Sequence, residues 1–356
     1  MTEPIIFLNM FPEGEPLPYS RYLRQMLFPE VGPAGQERLA RSTAVVLGLG
    51  ALGTGVADLL ARAGVGRLRL VDRDYVDETN LARQTLYDED DCRQSLPKAI
   101  AAAERLRQVN SGVQYEPWVV DVNARNAEQV IREAGVVVDG TDNLETRYLL
   151  NEACVGRGIP WVYGACVGSV GMTFTVLPGD GPCFRCYLPQ APAPGELPTC
   201  DTAGILGPAA ALVAALEAAQ ALRVFLGKVD DSYTALKYVD VWTGELLSLP
   251  LARDPDCACC VRRQFPYLEG RVGSSATVMC GRDMAQVMPA APVSLRLEEV
   301  ARRLSLAGEV TANQFLVRAK LAGEVELIVF PDGRALVKGT TQPEVARSLY
   351  SRYLGT

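Results

Sequence analysis

Ala44-Val45-Val46-Leu47-Gly48-Leu49-Gly50-Ala51-Leu52-Gly53 is an apolar strand run that empties into a glycine-spaced turn. A helix follows at once, read as Thr54 to Ala63, and the next strand, Leu68-Arg69-Leu70-Val71, ends in Asp72, nineteen positions after Gly53. Each part of this strand–turn–helix–strand unit suits a phosphate. Glycines let the backbone turn tightly and come close to an anion. The helix N-terminus offers unpaired N–H groups and the positive end of its dipole, and an acid at the next strand's end accepts from ribose hydroxyls. The stretch predicts a nucleotide site built around Gly48, Gly50, Gly53 and Asp72 and leaves its chemistry open.

Downstream the alternation continues. A strand is expected over Tyr115 to Asp121, a helix over Ala124 to Glu133 and a buried strand over Val136 to Asp139. After Gly140-Thr141-Asp142-Asn143 come a helix over Leu144 to Arg157 and a strand over Pro160 to Gly164. Strands alternating with helices predict an α/β fold with a doubly wound, mostly parallel, Rossmann-like sheet. Such sheets place ligands at the carboxyl ends of their strands. The aperiodic stretch Arg73 to Gln84 is one such loop, and Asp142 stands in another. As an oxygen donor Asp142 suits magnesium; as an aspartate before a helix it equally suits an N-cap. Pro97 opens the alanine-rich helix Lys98 to Gln108, so Lys98 is either a phosphate ligand or an ordinary surface lysine. Upstream, Pro4, Pro12, Pro16, Pro18 and Gly14 predict a loose arm over 1–18. Order is expected from Tyr19, with a short helix at Gln36 to Arg41; Arg21 and Arg24, three apart, could simply be a solvated face.

Composition limits the setting. The chain has 356 residues, 48% of them hydrophobic and 22% charged, enough for one large core or two domains. A net charge of −7 and a pI near 5.0 argue against a general nucleic-acid binder, which would carry a basic face. No basic segment precedes the first apolar residues, so no secretory signal is expected. The uncharged run Thr202 to Leu216 is shorter than the ~20 residues that span a bilayer. Gly158 to Gly179 is broken by prolines and glycines and reads as strands and turns. These features predict a cytoplasmic protein that binds neither nucleic acid nor membrane.

Ten cysteines occur with no histidine, which removes every mechanism that needs an imidazole. Cys183-Phe184-Arg185-Cys186 and Cys257-Ala258-Cys259-Cys260 form two C-x-x-C pairs separated by 70 residues. In a reducing compartment, paired cysteines are more often metal ligands or nucleophiles than disulfides. Four thiolates suit structural zinc, with an iron–sulfur cluster or a redox pair as alternatives. The spacing selects Cys257 and Cys260 in the second pair, although Cys259 could replace a neighbour. Between the pairs, the proline-rich stretch from Leu188 to Asp201 is expected to be a mobile crossing loop. Cys200, at its end, stands before a helix, where thiol pKa values fall; it could equally be an idle small residue. The helix Ala209 to Leu226 carries Glu217, Gln220 and Arg223 on an apolar surface and reads as core.

Arg21-Tyr-Leu-Arg24-Gln25, the glycine turn at 48–53, Asp72-Arg-Asp74, Asn80-Leu-Ala-Arg83-Gln84, Lys98, Thr141-Asp142-Asn143, the two knuckles and Thr199-Cys200-Asp201-Thr202-Ala203-Gly204 occur in one order. Together, over about residues 20–270, they resemble the ThiF/MoeB family of adenylyltransferases, relatives of the ubiquitin-activating enzymes. The resemblance implies ATP-dependent activation of the C-terminal glycine of a small ubiquitin-like sulfur carrier of the ThiS/MoaD type, ending in Gly-Gly. The carrier carboxylate would attack the α-phosphate, giving an acyl-adenylate and pyrophosphate, for sulfur transfer in thiamin, molybdopterin or tRNA-thiolation chemistry. The implied cofactors are ATP, Mg2+ and Zn2+. By the same resemblance, Asp72 would hold the ribose, with Asp74 beside it. Arg83 and Lys98 would hold the phosphates, and Asn80 and Gln84 would orient them. Asp142 would bind magnesium, and Arg24 would reach the site of a partner subunit in a homodimer. Cys200 matches a cysteine that in some members bonds the carrier or receives sulfur, which would add a sulfur-donor protein to the partners. No general base is needed, because the attacking carboxylate is already ionised. A nicotinamide-dependent oxidoreductase using the same turn, or an inactive scaffold of the same fold, are the competing classes.

On this reading residues 19–270 form an ATP-binding adenylation domain, 271–289 a linker and 290–356 a small α+β domain. The last is expected to contain a helix at Leu297 to Leu304, a strand near Gln314 to Ala319, a hairpin turning at Asp332-Gly333 and a helix from Pro343 to Tyr353. It lacks any mark of the rhodanese domain that some relatives append, and is expected to dock the carrier or support a dimer. Deleting 290–356 should then weaken carrier affinity more than ATP binding.

Overall fold

The computed structural model describes residues 20–355 except 180, 193–195, 197–198, 230–233, 273–275, 280–283, 290–292, 322 and 324. The arm expected over 1–18 lies outside the described residues. Eight strands form the first sheet: β1 (Thr43–Leu47), β2 (Arg67–Asp72), β3 (Gln114–Val119), β4 (Val136–Asp139), β5 (Trp161–Val167), β6 (Val170–Val176), β7 (Leu236–Asp240) and β8 (Glu245–Leu249). Their order is β3-β2-β1-β4-β5-β6-β7-β8. β1 to β5 pair in parallel, whereas β5 to β8 are antiparallel.

The central strands alternate between two cores. Ala44 and Val46 of β1 pack with Val56 and Leu60 of helix Ala51–Ala63 and with Ala99, Ala102 and Ala103 of helix Lys98–Val109. Val45 and Leu47 face the opposite way, against Tyr148, Leu150 and Ala153 of helix Leu144–Arg157. Helices on both faces let these strands be apolar throughout, which is why their sequences read as unbroken valine and leucine runs. Helix Gly207–Leu226 has the length and mean hydropathy, 1.6, of a membrane span, but Val213, Ala214, Glu217 and Ala221 along it are buried in the protein.

Six strands make the second sheet: β9 (Ala276–Met279), β10 (Met284–Val287), β11 (Gly308–Ala312), β12 (Val317–Leu321), β13 (Glu326–Val329) and β14 (Ala335–Lys338). The order is β11-β12-β13-β14-β10-β9, antiparallel throughout. The stretch 271–289, expected as a linker, therefore supplies two strands. Leu327, Val329, Ala335 and Val337 face helices Leu297–Leu304 and Pro343–Leu354, whose Val300, Leu304 and Ala346 join the same core. Ile328, Phe330 and Leu336 face the other way, together with Met284 and Leu316, and pack on Tyr75, in the loop after β2, and on Val119, the last residue of β3. The two sheets are thus joined by a small apolar cluster at the carboxyl ends of β2 and β3. Beside it Gln286 Nε2 donates to Asp121 Oδ2 at 2.9 Å and Asn313 Nδ2 to the Gln94 carbonyl at 3.0 Å.

Candidate active site

The three glycines of the turn have separate tasks. Gly48 has φ +84°, and a Cβ there would lie 2.6 Å from both the carbonyl carbon and oxygen of Gly140. The glycine turn and the loop after β4 are therefore in backbone contact. A Cβ at Gly53 would lie 1.8 Å from the Gly48 carbonyl oxygen, which fixes how the helix leaves the turn. Gly50 differs: a Cβ there would meet nothing nearer than 3.8 Å. It is the N-cap of helix Ala51–Ala63 and supplies no capping side chain. A close-approach surface with unsatisfied helix N–H groups is the arrangement that accepts a phosphate.

Asp72 closes the turn from the side. Its Oδ2 accepts from Leu49 N at 2.6 Å and its Oδ1 from Asp74 N at 2.7 Å. Burial raises its pKa above the usual carboxylate value, and nearby Lys98 works against that rise. Lys98 is itself buried, with Nζ 3.4 Å from Asp74 Oδ2, so it is held in place and is no ordinary surface lysine. Gln84 is buried with no hydrogen-bond partner for its Oε1 among the described residues, and its Nε2 would be 3.9 Å from a Cβ at Gly50. A buried amide oxygen left unpaired at an open glycine surface is a polar group waiting for a ligand. Asn80 is wholly buried and shapes the loop, its Oδ1 accepting from Asp77 N at 3.3 Å in a reciprocal cap. Arg83 donates to the Thr79 carbonyl at 2.7 Å.

Asp142 is exposed, and the cap of helix Leu144–Arg157 is Asn143, whose Oδ1 accepts from Thr146 N at 2.9 Å. Asn143, not Asp142, therefore caps this helix, and the Asp142 carboxylate is not engaged in that role. Arg24 is likewise exposed, with no hydrogen bond or ion pair to any described residue.

Three groups that sequence reading passed over hold this crevice in shape. Asp139 is fully buried at the end of β4 and accepts from Thr141 N, Thr141 Oγ1 and Arg147 Nε. Arg147 also donates to the carbonyls of Thr141 and Gly164, tying the loop to β5. Tyr87 Oη donates to the Leu49 carbonyl at 2.9 Å, which fastens the glycine turn from behind. An acid closing a valine run and an arginine one helical turn into the next helix were visible as residues, but their pairing is not periodic and gives no pattern to read.

The knuckles converge as expected. The sulfurs of Cys183, Cys186, Cys257 and Cys260 lie within 4.8 Å of one another, with Cys183–Cys257 and Cys186–Cys260 each at 3.6 Å. Sulfurs bound at about 2.3 Å around one tetrahedral ion stand about 3.8 Å apart, so this cluster fits zinc. Cys259 lies outside the set; its buried Sγ accepts from Asn151 Nδ2 at 3.1 Å. Cys200 begins the four-residue helix Cys200–Ala203, capped by Thr199; its side chain lies outside the described residues.

A glycine turn in a mostly parallel sheet, an acid on its flank and a cluster of four cysteines with the spacing of metal ligands define an α/β protein of the nucleotide-binding class. Residues 22–260 match the ThiF family, and the chain belongs to it. It is 43% identical over 338 residues to the sulfur carrier protein ThiS adenylyltransferase of Bacillus subtilis, covering 94% of this chain and 99% of that protein. It is 42% identical over 245 residues to a sulfur carrier protein adenylyltransferase of Thermus thermophilus, covering 67% of this chain and 90% of that one. Among solved structures, Escherichia coli MccB with ATP superposes with a TM-score of 0.60 at 23% identity over 68% of this chain and 75% of that one, a likeness of fold.

Proposed function

We propose that this protein uses ATP to adenylate the C-terminal glycine of a small ubiquitin-like sulfur carrier, releasing pyrophosphate. The observation that carries the reading is the backbone contact between Gly48 and Gly140, which merges the phosphate-accepting turn and the Asp142 loop into one crevice. The two adenylyltransferase relatives above support it. In this assignment the open face of Gly50 and the N–H groups of helix Ala51–Ala63 receive phosphate oxygens, while Asp72 accepts from the ribose. Lys98, steered by Asp74, and Arg83 stand against developing phosphate charge, Gln84 orients the phosphates, and Asn80 holds the loop that presents Arg83. Arg24, free on the surface, reaches the crevice of a second copy in a homodimer. Asp142 holds magnesium, which supplies charge neutralisation at the phosphates. Cys183, Cys186, Cys257 and Cys260 hold zinc, which supplies a structural staple. The chain's own contribution is positioning and electrostatic stabilisation: it holds an already ionised carboxylate in line with the α-phosphate.

Carrier-dependent ATP–pyrophosphate exchange tests the reading. Asp142→Ala should abolish exchange, whereas Cys200→Ala should leave it standing, because a thiol could act only after the adenylate forms. A nicotinamide absorbance change without exchange would replace this function with an oxidoreductase. Loss of exchange in folded Cys200→Ala would reverse the proposed order of chemistry.

A further inference from the structure

Gln286 lies on β10 opposite Leu336 of β14, on the face of the second sheet that packs on Tyr75 and Val119. It is 2% exposed, and burying a carboxamide is costly unless it is hydrogen-bonded. Its Nε2 donates to Asp121 Oδ2 at 2.9 Å, a bond that crosses from one sheet to the other. Asp121 Oδ1 accepts from Arg73 Nη1, also at 2.9 Å, and both side chains of this pair are mostly buried. The backbone of Asp121 is itself fixed, since Asn123 and Asn126 donate from Nδ2 to its carbonyl at 3.1 and 2.9 Å. Arg73 directly follows Asp72. Successive side chains at a strand end point to opposite sides, so Asp72 turns to the glycine turn while Arg73 turns to Asp121. Asp72 Oδ1 accepts from Asp74 N at 2.7 Å, and the Asp74 carbonyl accepts from Lys98 N at 2.8 Å. The loop that leaves β2 is therefore held by the glycine turn, by the head of helix Lys98–Val109 and, through Arg73 and Asp121, by the second sheet.

We infer that Gln286 is a positioning residue for the ribose end of the nucleotide site: through Asp121 and Arg73, it lets the second sheet hold the loop that aims Asp72. This rests on the ATP reading of the crevice, in which Asp72 accepts from the ribose. A hydrogen bond to a hydroxyl is directional, so it weakens when the carboxylate that accepts it can swing. Phosphate oxygens are received instead at the glycine turn and the N-terminus of helix Ala51–Ala63, which Gln286, Asp121 and Arg73 do not hold. Cutting the chain of hydrogen bonds therefore costs the ribose contact more than the phosphate contacts.

The test is titration of ATP and of 2′,3′-dideoxy-ATP, each with magnesium, into the full-length protein, because the second nucleotide lacks both hydroxyls that Asp72 can bind. Wild type should favour ATP. Gln286→Met keeps the bulk and removes the donor. It should narrow that preference by roughly two- to tenfold, within the range for residues that touch neither ligand, and leave dideoxy-ATP affinity unchanged. Gln286→Glu sets a second carboxylate against Asp121 and should narrow the preference as well. Adding Asp121→Asn to it reverses donor and acceptor, leaves an oxygen for Arg73 and should restore the preference. An unaltered preference in Gln286→Met, an equal loss for both nucleotides, or a double variant no better than Gln286→Glu alone would overturn the inference while the ATP reading stands. So would a wild-type protein that binds ATP no better than dideoxy-ATP. A wild-type protein that binds neither nucleotide would bring down both.

Discussion

Glu217 lies wholly inside the protein on helix Gly207–Leu226, and neither carboxyl oxygen has a hydrogen-bond partner among the described residues. Burial, reinforced by Asp139 and opposed by Arg147, raises its pKa well above the ordinary value. The folded protein therefore keeps a proton that the unfolded chain releases near pH 4.3. Folding stability from this group is complete below that pH and is lost as pH climbs toward the folded value, by up to about 1.4 kcal/mol per pH unit. Glu217→Gln removes the titration. Urea unfolding at pH 5 and pH 8 should show the variant losing less stability than wild type over that rise; parallel losses would show that Glu217 is ionised in the fold. Gly164 belongs to the same arrangement, since a Cβ there would lie 2.1 Å from a Glu217 carboxyl oxygen. Neither feature was legible beforehand: Glu217 was read as part of a core helix, but what it faces depends on β5.

At the scale of elements, helix Leu144–Arg157 links the crevice to the four-cysteine cluster. Its first turns carry Arg147, and one turn further Asn151 reaches the knuckles. Asn151 Oδ1 accepts from Phe184 N at 2.9 Å, while Nδ2 faces Cys259 Sγ at 3.1 Å and Cys183 Sγ at 3.7 Å. Groups that orient metal ligands typically govern affinity by about ten- to a hundredfold. Asn151→Leu should accordingly release zinc to a chromophoric chelator at lower chelator concentration than wild type, and identical competition curves would refute this role. The same contrast explains what the sequence could reveal. β1, β4 and helix Leu144–Arg157 carry strong apolar runs and were read with little error. β8 is exposed at every residue, so it had no periodic signal, and β9 and β10 are four-residue strands in a stretch read as a linker. The crevice residues were legible because glycines and acids at strand ends occupy fixed offsets.

For the whole molecule, the docking of the second sheet on Tyr75, Val119 and Asp121 redirects the expectation for its removal. Taking away residues 290–356 would uncover the nucleotide side of the first sheet, so ATP binding should fall at least as much as carrier affinity; truncated protein binding ATP like the full chain would argue for an independent appendage. The thiolate cluster acts over a longer span. It joins Cys183 to Cys260, and between them lie helix Gly207–Leu226, β7 and β8, so an ion there closes a long loop around part of the core. Stripping the metal should lower the thermal midpoint, with re-addition restoring it. The clasp would act largely on the denatured ensemble: a loop of this length forfeits several kcal/mol of chain entropy, about 4–5 by analogy with a covalent cross-link. Metal supply would then set how much unfolded chain circulates, and with it the protein's lifetime against proteases, even though no sulfur of the cluster belongs to the nucleotide crevice.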